Sequence, residues 1–524
     1  MALTEHLPTL ALGLSAITVL GVLLNAVYNI FFHPLRRFPG SKLAAGTNLY
    51  RLYMLATGEE HTWIAEQHAK YGHVVRVGPS HVSYATPDAH KDVYGHQTAT
   101  HKANDKDPAF FLPEANGERS LITMMEPREH GRVRRIFSNA FSDRALKEQE
   151  PLIRKYVDML MDALRKHAVT KPETPVDLVN MFNCTTFDVM GDLCFGEPLG
   201  MLERGGYDPW VEMIFGAFKA IRILEVLREL PVVSTFVDQL MPRSLADQRL
   251  QHFKHSADRV DRRLATVTDR PDIWTLVLNR QEKGDGISLA QMHSNSSLFM
   301  VAGTETTATL LSGLSYHLLQ APDKLAKLVA EVRGAFTSED ELTIGNLARL
   351  EYLQAALDEG LRIYPPVTTG SPRIVPKGGN TICGEWLPAG THISVAHYGS
   401  YRLERHFHNH HLFVPERWIP ACYTDEASEY KVYESDRRDA LQPFGVGPHA
   451  CLGRNLAYHE MRLIIAKFIF NFDIAPYVPG EKAAMELGPG AKIMSTKDWI
   501  RHKAFGLWEK PPLYVKITPV VRSG

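Results

Sequence analysis

The sequence predicts a mainly α-helical protein with small β-sheets, preceded by one N-terminal transmembrane helix. Three observations support this fold class. Long stretches of helical hydrophobic spacing fill the middle of the chain, two short strand patterns flank a turn at Gly78 and Pro79, and an uncharged apolar run opens the chain. We therefore expect a helical body attached to a membrane.

The composition of the 524-residue chain argues against several classes of protein. Its 58 Lys and Arg residues nearly balance 59 Asp and Glu residues, which gives no electrostatic basis for binding nucleic acid. A hydrophobic content of 44% is ample for a core and argues against disorder. The five cysteines are odd in number and scattered, which indicates a reducing compartment rather than a disulfide framework.

The segment Leu7–Phe32 carries no charged side chain. A membrane-spanning helix needs roughly 20 mostly apolar residues, so this segment is long enough. The alternative is a cleavable signal peptide, but the chain starts with Glu5 and His6 instead of basic residues, and the apolar run is too long. Arg36 and Arg37 follow the segment, which predicts that the rest of the chain lies in the cytosol.

A proline-rich hinge follows the apolar segment. Pro34 and Pro39 forbid a continuous helix and produce a stiff bend. We therefore divide the chain into a membrane anchor over residues 1–33, a hinge over residues 34–45 and a cytosolic domain over residues 46–524.

Short strands, a loop and a basic helix come next. Val74–Val77 and His81–Tyr84 have the character of strands, and Ala109–Met125 lacks periodicity and is expected to be a long loop. His130 and Arg134 lie four positions apart on one face of a helical segment. Such basic runs are usually a solvated face, and that interpretation stays open on the residues alone.

The longest helical pattern runs from Ser288 to Gln320. At its centre lies the stretch Ala302-Gly-Thr-Glu-Thr-Thr307, whose hydroxyl groups compete for backbone carbonyls and weaken the helix. A carboxylate in an apolar helix is costly unless it is paired. The simplest structural explanation is a kink with Glu305 facing solvent.

A further helix is predicted over Glu351–Tyr364, stopped by Pro365 and Pro366. Glu359 and Arg362 lie three positions apart and can pair on one face of it. A lone ion pair at a surface contributes little to stability, so this pair alone indicates no function.

One cysteine lies among glycines directly before a helical pattern, in the stretch Phe444-Gly-Val-Gly-Pro-His-Ala-Cys-Leu-Gly453. Free backbone N–H groups and the helix dipole favour a thiolate at Cys451. Gly445 and Gly453 let the backbone approach a flat ligand, and Phe444 is placed to shield the sulfur from water. An iron–thiolate bond needs such a sulfur, whereas a lone cysteine would more simply be a buried apolar residue in a turn.

The pattern Phe-x-x-Gly-x-x-x-Cys-x-Gly resembles the haem-binding loop of the cytochrome P450 family, the haem-thiolate monooxygenases. The stretch at 302–307 resembles the family's oxygen-activating helix, and Phe32–Gly40 resembles the hinge of fungal microsomal members. These motifs, in the family's order, cover almost the whole chain. The overall pattern is similar to isotrichodermin C-15 hydroxylase-like secondary-metabolite enzymes, and the resemblance implies the cytochrome P450 fold.

The resemblance also implies roles for individual residues. Cys451 would be the axial ligand of the haem iron, and Thr306 and Glu305 would carry out proton delivery during oxygen activation. The buried network Glu359, Arg362 and Arg417 would fold the haem loop. The remaining residues that would contact the haem or its propionates are Phe444, Gly445, Gly453, His130, Arg134, Arg373 and His449.

One position departs from the family pattern. Most members carry arginine two residues before the cysteine, where this chain has His449. The charge of a histidine is conditional near neutral pH, unlike that of arginine, so the strength of this propionate contact is in question.

The implied activity is hydroxylation or epoxidation of a lipophilic small molecule with dioxygen and NADPH. Terpenoids, polyketides and alkaloids are the expected substrate classes, and haem b is the expected cofactor. Electrons would come from NADPH–cytochrome P450 reductase, with cytochrome b5 as a possible second donor, docking at Arg132, Arg135 and Arg454. The expected location is the endoplasmic reticulum membrane, with a single span and the catalytic domain facing the cytosol.

Several segments are expected to line the substrate site. They are Ala109–Met125, Ala302, Thr304, Val367–Ser371 and Lys497–Trp508.

Two alternative functions remain open. One is an isomerase or dehydratase of the same fold that acts without reductase. Such enzymes commonly lose the acid–threonine pair, which this chain keeps as Glu305 and Thr306. The other is a non-catalytic membrane haem-binding protein, which an intact oxygen-activation motif disfavours.

Overall fold

The computed structural model describes residues 7–98, 101–230, 233–236, 243–268, 270–281, 286–477, 499–500 and 502–521. This part of the chain is mainly helical and carries three small β-sheets. The predicted mainly α class with small sheets is therefore confirmed.

The N-terminal half of the described chain contains helices α1 to α11. Their bounds are α1 Leu7–Phe31, α2 Lys42–Gly46, α3 Leu49–Thr57, α4 Glu60–Tyr71, α5 Pro87–Tyr94, α6 Pro127–Ser138, α7 Asp143–Thr170, α8 Leu178–Phe195, α9 Met201–Arg204, α10 Pro209–Glu229 and α11 Arg243–Leu264.

The C-terminal half contains helices α12 to α18. Their bounds are α12 Ile273–Gln281, α13 Leu289–Gln320, α14 Pro322–Ala335, α15 Ile344–Leu347, α16 Glu351–Ile363, α17 His397–Ser400 and α18 Arg454–Asn471.

Ten strands form the three sheets. The five-stranded sheet has the order β1-β2-β8-β5-β3, the three-stranded sheet β4-β10-β9 and the two-stranded sheet β6-β7. The strands are β1 Val74–Gly78, β2 His81–Tyr84, β3 Asp105–Lys106, β4 Val176–Asp177, β5 Arg373–Ile374, β6 Asn380–Ile382, β7 Glu385–Leu387, β8 His392–Val395, β9 Phe472–Pro476 and β10 Tyr514–Pro519.

The predicted strands around the Gly78–Pro79 turn form an antiparallel pair, in which Val75 faces Ser83. Strand β8 pairs in parallel with β2. A parallel pair needs a long crossover connection, and the chain between these two strands is long enough to provide it. Residues 109–125 contain no helix or strand, as their lack of periodicity predicts.

Helix α13 is the buried centre of the helical body. Ser288 and Gln291 form a capping box that fixes its start, and the helix then runs for 32 residues. Gly313 makes close packing possible, since a Cβ atom there would lie 2.2 Å from the Cδ1 atom of Tyr364. The predicted helix at 288–320 is therefore confirmed to within one residue.

The N-terminal region begins with α1 and continues into a 3₁₀ turn, Pro34–Arg37, as the hinge prolines predict. Within the described residues, no helix has both the length and the apolar character needed to cross a membrane, so the predicted transmembrane helix is not supported. The first six residues of the predicted anchor lie outside the described residues. The division at residues 33 and 45 stays a prediction.

Candidate active site

The cysteine loop is a tight turn that ends where α18 begins. The Cys451 amide donates to the Phe444 carbonyl over 2.7 Å, which closes the loop. Gly445 and Gly447 adopt φ values of 67° and 75°, a left-handed conformation that favours glycine. A Cβ atom on Gly447 would lie 2.2 Å from the carbonyl oxygen of Tyr94, so the loop packs directly against α5.

The side chain of Cys451 is open to an internal cavity of about 350 Å³, which we call the central cavity. Although the residue is exposed at the cavity, the surrounding protein atoms desolvate the thiol and raise its pKa. The Gly453 N–H group and the guanidinium groups of Arg134 and Arg454 oppose that rise. These donors and charges would favour a metal-bound thiolate.

The walls of the central cavity are mostly apolar. Helix α13 contributes Ala302, Gly303 and Thr306, the cysteine loop contributes residues 443–453, and the remaining apolar side chains come from distant segments. Members of that last group include Phe111, Leu121, Met190, Leu298, Phe299, Leu361 and Val367. The cavity therefore suits a large hydrophobic ligand.

Four predicted propionate contacts line the same cavity although they come from three separate segments. His130 and Arg134 lie on α6, Arg373 on β5 and His449 in the cysteine loop. The His449 Nδ1 atom lies 3.0 Å from the His130 Nε2 atom, so one ring donates to the other. Burial lowers the pKa of His130 to about 4 and that of His449 to about 2, and neighbouring cations add to the effect.

Lys106 on β3 is a fifth basic residue in the cavity and is absent from the predicted site. Its ammonium group donates to the carbonyls of Ile122 and Met124 over 2.8 and 2.7 Å. Burial, and then the charge of Arg373, lowers its pKa to about 7. In the sequence, Lys106 is simply a basic residue just before the predicted loop at residues 109–125. That position is the one sequence signal that could have identified it.

The basic groups lack acidic partners. In the described part of the chain, no carboxylate lies within ion-pair distance of Lys106, Arg134 or Arg373. Burial of unpaired positive charge is costly, so the site is built for a ligand that brings negative charge. The cavity thus offers a thiol, apolar walls and a basic edge.

Thr306 faces the central cavity, and its hydroxyl donates to the Ala302 carbonyl over 2.8 Å. Glu305 does not line the cavity. Its buried carboxylate forms an ion pair with Lys510 and accepts from Thr309 Oγ1 over 3.3 Å. The alternative of a solvent-facing Glu305 is therefore wrong, and the proton role of this residue stays a prediction.

A second carboxyl group lies in the cavity and is also absent from the predicted site. Glu460 on α18 is only 1% exposed and lines the cavity together with Cys451 and Thr306. Burial raises its pKa to about 8, although the nearby Thr307 side chain opposes that rise. A glutamate in an otherwise buried helix is a sequence signal that could have identified it.

The structure brings the predicted structural network together. Arg362 donates to both carboxylate oxygens of Glu359 over 2.8 Å each, and Arg417 Nε donates to Glu359 over 3.2 Å. Arg417 also pairs with Asp436, which the sequence did not indicate. Burial would raise the pKa of Glu359, but the two guanidinium groups outweigh it and lower the pKa.

The predicted docking arginines differ in exposure. Arg135 and Arg454 are exposed. Arg132 is half-buried, pairs with Glu129 over 2.8 Å and donates to the Gly286 carbonyl over 2.6 Å. The first two are therefore the better candidates for an interaction surface.

The predicted substrate segments reach the cavity only in part. The loop at 109–125, Ala302 and the segment at 367–371 contribute lining residues, whereas Thr304 is buried in its helix and donates to Met300. Lys497, residue 498 and Arg501 lie outside the described residues. The described members between 499 and 508 do not line the central cavity.

Comparison with known proteins identifies the family. The sequence model of the family Cytochrome P450 matches residues 46–501, which is most of the chain. The chain belongs to the cytochrome P450 family.

Three fungal relatives are similar to this P450 over nearly their full lengths. Cytochrome P450 monooxygenase efuB of Hormonema carpetanum is 46% identical, covering 97% of this chain and 96% of the relative. Cytochrome P450 monooxygenase FUM2 of Gibberella moniliformis (strain M3125 / FGSC 7600) is 44% identical, with coverages of 94% and 99%. Cytochrome P450 monooxygenase AMT3 of Alternaria alternata is 41% identical, with coverages of 95% and 97%. The protein is a cytochrome P450 monooxygenase.

P450 enzymes bind haem, and the residues of the central cavity fit that cofactor. Cys451 offers the sulfur ligand, and the apolar walls suit the porphyrin ring. The unpaired cations at Lys106, Arg134 and Arg373 suit the two propionates, whose negative charges would compensate them.

Proposed function

We propose that this P450 hydroxylates or epoxidises a lipophilic small molecule, using dioxygen and electrons from NADPH. One observation carries the proposal: the Cys451 thiol and the Thr306 hydroxyl open into the same apolar cavity. When bound there, haem supplies the activation of dioxygen, and one oxygen atom enters the substrate while the other leaves as water.

The chain's own residues would position the cofactor and manage protons. Cys451 would hold the iron, with Phe444, Gly445 and Gly453 shaping the loop around the sulfur. The basic residues would hold the propionates. Thr306 would hold a proton at Oγ1 for oxygen activation, using the hydroxyl that now donates to its own helix.

The substrate would be an apolar small molecule that is larger than water or a common organic solvent. The walls at Phe111, Leu121, Phe299 and Val367 offer dispersion contacts and few hydrogen bonds. The relatives are fungal cytochrome P450 monooxygenases, and we propose a step in fungal secondary metabolism, as the resemblance in the sequence implies. Terpenoids, polyketides and alkaloids are the substrate classes we propose.

Electrons would come from NADPH–cytochrome P450 reductase, with cytochrome b5 as a second possible donor. Exposed Arg135 and Arg454 would meet acidic groups of such a partner. Charge reversal of Arg135 should lower the rate of reductase-supported turnover and weaken its salt dependence, whereas Arg454 is kept in this test because its charge also acts on the Cys451 thiol. Peroxide-driven turnover should change little, and equal losses in both assays would argue against a docking role.

We also propose that the enzyme is attached to the endoplasmic reticulum membrane with its catalytic domain in the cytosol. Helix α1 leaves large apolar side chains exposed, including Ile17, Leu20, Leu23 and Leu24. Deletion of residues 1–33 should release most of the protein from membranes in a fractionation experiment. A truncated protein that stays bound to membranes would reject this role for α1.

The deciding experiment reconstitutes the full-length protein with reductase and tests the metabolite that accumulates when its gene is deleted. NADPH-dependent conversion with incorporation of labelled oxygen from dioxygen would support the proposal. Conversion without reductase or NADPH would favour the isomerase or dehydratase alternative. Haem binding without conversion of that metabolite would favour a non-catalytic haem protein.

A further inference from the structure

The loop between β3 and α6 contains a compact turn at residues 120–124, which we call the cavity turn. The amides of its last two residues donate to the Ser120 carbonyl over 3.0 and 2.9 Å, which closes the turn. Leu121 and Ile122 line the central cavity, and 47% of Ile122 is exposed. Large apolar side chains at the wall of a cavity offer a contact surface to an apolar ligand.

Asn295 on α13 holds the start of the cavity turn. Its Oδ1 atom accepts from the Leu121 N–H group over 2.8 Å, and its Nδ2 group donates to the Gln291 carbonyl over 2.7 Å. The second bond fixes the orientation of the side-chain amide, because a flipped amide would place its NH2 group against the Leu121 N–H donor. Asn295 is 0% exposed and Leu121 is 6% exposed, so bulk water does not reach this bond.

Lys106 on β3 holds the other end of the cavity turn. Its ammonium group donates to the Ile122 and Met124 carbonyls over 2.8 and 2.7 Å. The turn is therefore held between side chains of α13 and β3. Asn295 itself does not line the central cavity, so any effect that it has on a ligand must pass through the turn.

We propose that Asn295 is a positioning residue that sets the shape of the substrate-facing wall by holding Leu121 and Ile122. The inference rests on the monooxygenase function proposed above and names a specificity determinant for it. Bulky apolar substrates that reach the cavity turn would depend on Asn295. A ligand small enough to stay beside the cofactor would not.

A purely structural hydrogen bond is the competing explanation, and Ser294 provides the matched control. This neighbouring residue of α13 is also fully buried, and it donates to the Oδ1 atom of Asn116 in the same loop over 3.0 Å. Asn116 does not line the central cavity, whereas Leu121 does. A structural role therefore predicts similar effects from loss of either bond. A positioning role predicts an effect on bulky ligands from loss of the Asn295 bond alone.

The first test measures ligand binding to the full-length haem-loaded protein. Imidazole and clotrimazole, an imidazole that carries a chlorinated triphenylmethyl group, both bind haem iron through nitrogen but differ greatly in size. Asn295→Leu removes the acceptor at nearly constant volume and leaves a buried amide unpaired, so the dissociation constant of clotrimazole should rise roughly tenfold. The dissociation constant of imidazole should stay the same. Ser294→Ala should match wild type with both ligands.

A second variant covers a failure of Asn295→Leu to fold. In Asn295→Ser the short hydroxyl can still donate to the Gln291 carbonyl, four residues earlier in the helix, but cannot reach Leu121. Asn295→Ser should therefore weaken clotrimazole binding in the same direction while it keeps the bond within α13.

A readout independent of haem ligands comes from hydrogen exchange. The Leu121 amide is buried and bonded, so a peptide that covers the cavity turn should exchange slowly in wild type. Its exchange should accelerate in Asn295→Leu and Asn295→Ser and remain unchanged in Ser294→Ala.

Each outcome decides the inference. Wild-type clotrimazole affinity or wild-type exchange of the cavity turn in both Asn295 variants would overturn it, as would a loss of equal size in Ser294→Ala. Equal losses for imidazole and clotrimazole would also overturn it, because they would indicate a general effect on the haem site. Failure of the proposed function would look different, since wild-type protein would then form no NADPH-dependent product while the ligand comparison would still test Asn295.

Discussion

Lys510, near the C-terminus, forms an ion pair with Glu305 at the centre of α13. Both side chains are almost fully buried, and Lys510 also donates to Thr309 over 2.6 Å. The pair explains how an apolar helix tolerates a carboxylate, because the lysine supplies the charge that water would otherwise provide. It also ties the C-terminal segment to the helix that borders the central cavity.

Replacement of Lys510 with methionine should therefore destabilise the protein. The change leaves Glu305 buried without its partner, which costs about 3–5 kcal/mol. Thermal unfolding of the haem-loaded protein would measure the loss. In Lys510→Met combined with Glu305→Gln most of that loss should disappear, and an additive double variant would show that the pair contributes no coupling energy.

Replacement of Cys451 with alanine should abolish the carbon monoxide difference band that is characteristic of thiolate ligation. The reason is that Cys451 is the one thiol that lines the central cavity among the described residues. Cys422→Ala is the control, because this half-buried cysteine lies outside the cavity and the band should persist. A full-size band in Cys451→Ala would remove this residue as the ligand.

Replacement of Thr306 with alanine should uncouple NADPH consumption from product formation by about 10-fold or more. Its hydroxyl faces the cavity, where it can hold a proton. Product and NADPH would be measured in the same reaction. Thr304→Ala should keep wild-type coupling, since Thr304 is buried and does not line the cavity. Equal coupling in both variants would reject the proton role of Thr306.

Much of the fold follows from local sequence patterns. The long helix at 288–320, the strand pair around Gly78 and the cysteine loop each depend on neighbours in sequence, so periodicity and turn residues predict them. Strands β9 and β10 were not predicted. Their pairing joins residues 472–476 to residues 514–519, and partners so far apart leave no local signal.

The same distinction applies to the site. Cys451 and Thr306 stand in recognisable motifs, whereas Lys106 matters because the fold places it in the central cavity and Lys510 because the fold brings it to a distant partner. Lys510 lies 205 positions from Glu305, and no spacing rule connects the two. Burial that shifts a pKa, as at Glu460, is likewise a property of the folded environment rather than of the sequence.

Replacement of His449 with arginine should slow haem loss. Burial and neighbouring cations lower the pKa of His449 and favour its neutral form, whereas arginine is charged at all physiological pH values. A charged hydrogen bond to a propionate is worth about 1 kcal/mol more than a neutral one, or about fivefold in the rate of haem transfer to apomyoglobin. His411→Arg, at an exposed position, should leave the rate unchanged. Faster haem loss in His449→Arg would show that repulsion from Arg134 and Arg373 dominates.

The contribution of Glu460 to the stability of the enzyme should fall as pH rises from about 5 to about 8. The folded protein holds the Glu460 proton up to a pKa of about 8, whereas the unfolded chain releases it near the ordinary value of 4.5. Between these values the unfolded state carries fewer protons, so rising pH favours unfolding by up to about 1.4 kcal/mol per pH unit. Above about pH 8 both states are ionised and the contribution stops changing. Melting temperatures of wild-type protein and Glu460→Gln should therefore diverge with pH in favour of the variant, and parallel curves would contradict the raised pKa.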